Sequence, residues 1–310
     1  MRVVWTRVVD FFTAPASPRP LGFFRLAVST LALIQVILLW PYLLQLYGNF
    51  GFVQWIIVEA DSGNWLPSIG KLCLWLQPYG VSASSCVFGV FGLYAVGLGC
   101  LLLGWRTRLS AVTVWLLHSM TVNSGFMSLY GVDTMLHICL FYCAWMPVGS
   151  AFSLDQIRGR SSAAPTFIAN LGLRALQLHL CIIYLNTGLA KLRGVQWRSG
   201  EAIWHALMQP QFAVFDMSWL ASVPWLALVM CWSVIIIETG YVIFIWPAKT
   251  RPFWLGAAIA LHVGIGLLMG LWIFSLVMFV MNFSAFGFNL LPRRNRAPTS
   301  ELDLARTSVV

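Results

Sequence analysis

A single lysine closes an apolar stretch in the run Tyr184-Leu-Asn-Thr-Gly188-Leu-Ala-Lys191-Leu-Arg-Gly-Val-Gln-Trp197-Arg-Ser-Gly200. Placing an ammonium near lipid is expensive, and such residues mark pathways and sites. Gln177, Cys181, Tyr184, Gly188 and Lys191 recur at helical spacing, so on one helix they form a stripe about 21 Å long. A stripe of this kind suits the interior of a bundle or a water-filled cavity. The competing reading is a lysine that snorkels to the outer membrane interface. His179 and Asn186 fall on a second face of the same helix, which implies protein around it.

Other chemistry-bearing residues lie on separate apolar segments. Asp133 and His137 are one turn apart, so they can bond a common third group. Alternatively, Asp133 caps the start of its helix. No third ligand stands at helical spacing from this pair, so no metal site is expected. Glu238 and His262 fall at similar depths in successive segments and could pair, either as a site or as a structural bond between helices. His118 and Asn123 read as structural, with Asn123 nearer the outer side, and His205 reads as interfacial. The chain has no GxSxG, HExxH, paired-carboxylate or nucleotide-binding glycine motif. It also lacks the matched pair of broken helices of a transporter.

The composition says what holds these residues. Of 310 residues, 59% are hydrophobic and only 9% charged, against roughly 25% charged in soluble domains. The expected fold is an all-α, polytopic transmembrane helical bundle. About eight spans of some 20 residues are read at 21–46, 84–104, 109–129, 132–151, 166–190, 218–246, 253–270 and 272–291. Pro41 should kink or end the first, and the last two should form a tight hairpin. The long connections 47–83 and 191–217 are apolar enough for short interfacial or re-entrant helices. Residues 1–20 read as an amphipathic segment on the membrane rather than a cleavable signal. Residues 21–292 form the transmembrane domain and 293–310 a disordered cytoplasmic tail.

The net charge of +9 points to topology rather than to nucleic acid. With the N-terminus in the cytoplasm, the outer loops keep only Lys71, Lys191, Arg193 and Arg198 among 19 basic residues. An even number of spans with both termini cytoplasmic follows from the positive-inside rule. The site would then face the extracytoplasmic side. The seven Cys include no CxxC pair and lie mostly in apolar segments, as small buried hydrophobes do.

Four blocks resemble the HTTM (horizontally transferred transmembrane domain) family, which includes the membrane domain of vitamin K-dependent gamma-glutamyl carboxylase. They are Gly22-Phe-Phe-Arg25 with Tyr47-Gly48; Arg106-Thr-Arg108, Ser119, Asn123, Tyr130-Gly131-Val-Asp133, Trp145-Met-Pro147-Val-Gly149 and Ser153-Leu-Asp155; Tyr184-x3-Gly188-Leu-Ala-Lys191-Leu with Trp197-x2-Gly200-x-Ala202; and Glu238, His262 and Phe274-Ser275. The resemblance implies quinone-linked carboxylation or maturation of a peptide, with a reduced vitamin K-like quinone as cofactor and no metal. It makes Lys191 the base and His262 an auxiliary catalytic group. Tyr184, Asn123, Asp133 and Glu238 become cofactor-binding candidates. Implied partners are membrane lipid, a peptide or protein substrate and an accessory membrane protein, with no nucleic acid. Some short bacterial relatives act in peptide-toxin maturation, which implies a bacterial inner membrane and keeps a non-catalytic scaffold or maturation partner as the rival, with a transporter as the third reading. Two departures stand out. Ser124 replaces the carboxylase's histidine after the Asn, and the carboxylase's large lumenal domain has no counterpart in these residues.

Overall fold

The computed structural model describes residues 2–61 and 66–290, with the backbone alone for 2–4 and 61. Trp65 and the tail from 293 onward lie outside the described residues. Nine long helices organise the described residues: α1 (Arg2–Thr13), α2 (Arg19–Leu39), α3 (Ala83–Leu103), α4 (Thr107–Ser124), α5 (Gly131–Trp145), α6 (Phe167–Arg193), α7 (Pro224–Phe244), α8 (Arg251–Met269) and α9 (Trp272–Phe286). Among the described residues there is no strand, only an isolated antiparallel bridge between Ala16 and Thr166.

Local signals explain the boundaries. Ser82 and Thr166 accept from backbone N–H groups three residues on, capping α3 and α6, which satisfies donors that a helix start leaves free. Pro224 opens α7, where its missing N–H is harmless. At Pro41 the first span tightens into a 3-10 turn, Trp40–Tyr42, and resumes as Leu43–Tyr47.

Among the described residues, six helical stretches are long and apolar enough to cross a membrane: Arg19–Tyr47, Ala83–Leu103, Phe167–Arg193, Pro224–Phe244, Arg251–Met269 and Trp272–Leu290. The sequence reading of eight differs at α4 and α5. Helix α4 is diluted by Thr107, Arg108, Ser110, Thr113, His118, Ser119 and Asn123. Helix α5 has 15 residues and stops before Pro147, about 22 Å at 1.5 Å per residue. These two pack on each other as a hairpin, and α4 also lies against α3.

Helix α9 is the hub, touching α2, α5, α6 and α8. Its window is the most buried of the six stretches, whereas that of α8 is the least. Helices α8 and α9 form the expected tight hairpin, turned by Gly270 at φ 71°. Large apolar side chains such as Leu93, Val96, Ile182, Ile236 and Ile243 are more than half exposed, as lipid-facing surfaces require.

The helix ends around Arg25 are tied by polar groups. Arg25 is fully buried. Its guanidinium donates to the carbonyls of Val148 at 3.2 Å, Leu101, Leu102 at 2.5 Å and Phe152 at 2.6 Å. Two of these belong to the last turn of α3, where a cation is favoured. The adjoining Gly104 has φ 67°, and a Cβ there would collide with Ser153. Asp155 accepts from Arg106 N–H at 3.1 Å and from the N–H and hydroxyl of Thr107, both at 2.7 Å. It therefore caps α4 from a distant part of the chain. Burial alone would raise its carboxyl. The bonds from Thr107 and Arg106 and the charge of Arg160 outweigh this, so it lies below the usual carboxylate range.

The N-terminal helix is pinned where it meets α6. Asn170 and Arg174 donate to the carbonyl of Phe11 at 2.9 and 3.1 Å. Trp5 remains largely exposed.

Candidate functional site

The stripe on α6 faces inward. Gln177, Cys181, Tyr184 and Gly188 are all buried, and Gln177 donates to the carbonyl of Ala285 on α9 at 2.6 Å. Asn186, on the second face, is exposed rather than surrounded by protein. At the end of the stripe, Lys191 Nζ contacts both carboxylate oxygens of Glu238, at 3.0 and 2.7 Å. The side chains are 20% and 8% exposed. Trp197 offers its ring to the same ammonium at 5.1 Å.

The pair lies well along α7 rather than at its first turn. Glu238 stands two-thirds of the way along Pro224–Phe244, about 21 Å from its first residue. Helix α6 therefore ends part-way along α7. The short helices Val195–Ser199 and Glu201–Met208 then fold back against α7. Gly188 permits the close approach: a Cβ there would lie 2.8 Å from Thr239 Cγ2 and 3.0 Å from Glu238 Cβ.

Glu238 thus pairs with Lys191 and not with His262. His262 instead meets Tyr184, with 2.9 Å between Nε2 and the hydroxyl. Asn282 on α9 donates to Tyr184 at 2.8 Å and accepts from Tyr241 at 2.8 Å. His262 Nδ1 is a buried atom with no hydrogen-bond partner.

Lys191, Glu238, Tyr184 and His262 line one cavity of ≈ 670 Å³ between α6, α7 and α8. The rest of its wall is mainly apolar, including Ile203, Met230 and Phe274. A large apolar pocket with a few convergent polar groups is the usual form of a small-molecule site.

Asn123 and Asp133 do not line this cavity. Asn123 donates to the carbonyl of Pro67 at 3.0 Å. Asp133 accepts from Gln35 at 2.7 Å and from the N–H of Tyr130 at 3.1 Å, in a capping box at the start of α5. His118 bridges the Tyr94 hydroxyl and the Asp133 carbonyl at 3.1 and 3.2 Å. His137 accepts from Trp115 at 3.2 Å. This is a second polar cluster on other helices. No group of three or more potential metal ligands occurs among the described residues.

These positions bear on the chain's relatives. The family model for the HTTM domain matches residues 15–286. The chain belongs to the HTTM family. No curated protein and no solved structure matches it. The matched HTTM segment contains both the Arg25–Asp155 end and the Lys191 cavity, so one domain holds the tied helix ends and the candidate site. Asn282 and Tyr241 escaped the sequence reading. The signal for Asn282 was present in Met281-Asn282-Phe283, a lone amide in an apolar span, which by itself suggests a buried polar role.

Proposed function

We propose that this HTTM protein is a carboxylase-like membrane enzyme that takes a reduced vitamin K-like quinone into the α6–α7–α8 cavity and acts on a peptide at the extracytoplasmic face. The observation that carries this reading is the Lys191–Glu238 ion pair, placed deep along α7 in the wall of an otherwise apolar cavity. Ionisable groups at such depth are retained for function far more readily than for stability.

The cavity suits a ring with an apolar tail and a polar edge, since Lys191–Glu238 and Tyr184–His262 stand in a mainly apolar lining. A bound reduced quinone would supply an acidic hydroxyl and, with O2, the strong base that removes a proton from a substrate glutamate before CO2 attaches. The work of the chain lies in the proton at Lys191 Nζ. As an ammonium it cannot accept one. Transfer of a single proton to the Glu238 carboxylate that it touches at 2.7 Å would leave a neutral amine. The amine can then take the proton of a hydroxyl presented in the cavity. Tyr184 and His262 hold the ring at a second point.

The same reading takes α4 and α5 as crossing the bilayer with the six longer stretches, giving eight spans, cytoplasmic termini and short interfacial helices on the outer side. The charge asymmetry of the loops supports it.

The test is incorporation of radiolabelled bicarbonate into glutamate-containing peptide by the purified protein in lipid, with reduced vitamin K and O2. Lys191→Ala and His262→Ala should each abolish it while leaving folded, inserted protein. If wild type incorporates no label, or both variants incorporate as much as wild type, the enzyme reading is wrong and a scaffold or maturation partner replaces it.

A further inference from the structure

Four buried side chains meet where α6, α7, α8 and α9 converge: Tyr184, Tyr241, His262 and Asn282. The directions of their hydrogen bonds can be fixed one at a time, because hydrogens follow from the network. The Met278 carbonyl can only accept, and it lies 2.8 Å from Asn282 Nδ2. That contact sets the amide: nitrogen toward Met278 and Tyr184, oxygen toward Tyr241. Tyr241 donates to Oδ1. The second amide hydrogen goes to the Tyr184 oxygen. Tyr184 is thereby an acceptor from Asn282, and its own hydrogen is left for its other neighbour, His262 Nε2.

A nitrogen that accepts must be bare, so the imidazole carries its proton on Nδ1. The opposite tautomer would strand the Tyr184 hydroxyl hydrogen and leave Nδ1 as an unmet acceptor. It has two buried groups without partners where the first has one, and each such group is costly. The remaining one, Nδ1–H, belongs to a residue that lines the cavity and has no protein acceptor.

The geometry assigns Asn282 the role of a positioning residue: through Tyr184 it holds His262 as the Nδ1–H tautomer, so that His262 offers a donor and the cavity selects an occupant with an acceptor oxygen on its ring. The choice of occupant rests on the cavity reading given above; the tautomer does not.

Solid-state NMR of the full chain in bilayers, with isotope-labelled histidine, reads the tautomer directly. The His262 signals are those missing from His262→Ala. Wild type should show a protonated Nδ1 and a bare Nε2. Asn282→Leu removes the donor to Tyr184 and should give a mixture. Asn282→Asp replaces that donor with an acceptor, so Tyr184 turns toward it and the proton moves to Nε2. A wild-type His262 protonated on Nε2 overturns the assignment. So does the wild-type tautomer persisting in both variants. For the occupant, quenching of tryptophan fluorescence compares a methylated naphthoquinone with methylated naphthalene. One hydrogen bond should favour the quinone about fivefold, and Asn282→Asp should erase that preference. Equal affinities in wild type overturn the selection for a ring oxygen. Binding of neither probe overturns the cavity reading, while the tautomer stands or falls on the NMR alone.

Discussion

The Arg25 end and the Lys191 cavity both bury charge in an apolar bundle, and they treat it differently. Around Arg25, the guanidinium meets four carbonyls and Asp155 meets the start of α4. The region joins the ends of α3 and α4 to the chain between Val148 and Asp155. In the cavity, Lys191 has a single carboxylate partner, and His262 keeps a nitrogen with none. A closed network rigidifies the fold, whereas buried groups left unmet call for an explanation such as a ligand. One end is thus a closed tie between helix ends, and the other keeps a buried polar group unmet.

The largest test removes the hub of the closed network. Arg25→Leu leaves buried carbonyls without donors and should cost more than about 3 kcal/mol. Little monodisperse protein should be recovered in detergent. Arg25→Lys should not restore it, because an ammonium cannot reproduce the planar fork. A wild-type melting temperature for Arg25→Leu would break the comparison at its stronger end.

Next come the cavity charges. Glu238→Leu strands a buried ammonium and should cost about 3–5 kcal/mol, whereas Lys191→Met with Glu238→Leu should return close to wild-type stability. Activity should be absent from both. Thermal unfolding of the single and double variants decides the matter: a double variant no more stable than the single would make the pair a structural staple like Arg25.

Gly188→Ala should destabilise by about 1–3 kcal/mol, because the methyl meets Thr239 and Glu238 on α7 and the close-packed contact must open. It should also lengthen the Lys191–Glu238 contact and reduce activity beyond its effect on melting.

The smallest effect belongs to Asp155→Asn, about 1 kcal/mol for a weakened cap. Its pH dependence carries a sign. The folded carboxyl lies below its ordinary value, so its contribution is present above the unfolded carboxylate pKa and fades as pH falls through the lowered folded one. Between roughly pH 4 and the lower folded value, wild type should lose stability that Asp155→Asn does not. Parallel acid melting curves would remove Asp155 from the closed network.

The inward stripe of α6 was legible because its period is local: Gln177, Tyr184, Gly188 and Lys191 fall on one face whatever surrounds the helix. Helix class, the final hairpin and the turn at Pro41 were legible for the same reason. The partner of Lys191 was not. Counting depths from span ends suggested Glu238 with His262, yet α6 stops part-way along α7 and brings Lys191 to Glu238 instead. Asn123 and Asp133 carry residue types suited to a site, but their helices turn them to Pro67, Gln35 and Tyr130.

The sequence by itself determined a helical membrane protein of HTTM type, with Lys191 at the end of a polar stripe, because hydropathy and the helical period are properties of neighbouring residues. Only the tertiary structure decided that Lys191 pairs with Glu238 at depth, that Tyr184 joins His262 to Asn282, and that Arg25 and Asp155 tie helix ends together. Those pairings depend on the axial register of helices far apart in the chain, and register is set by close approaches such as Gly188 on Thr239 that no local pattern encodes.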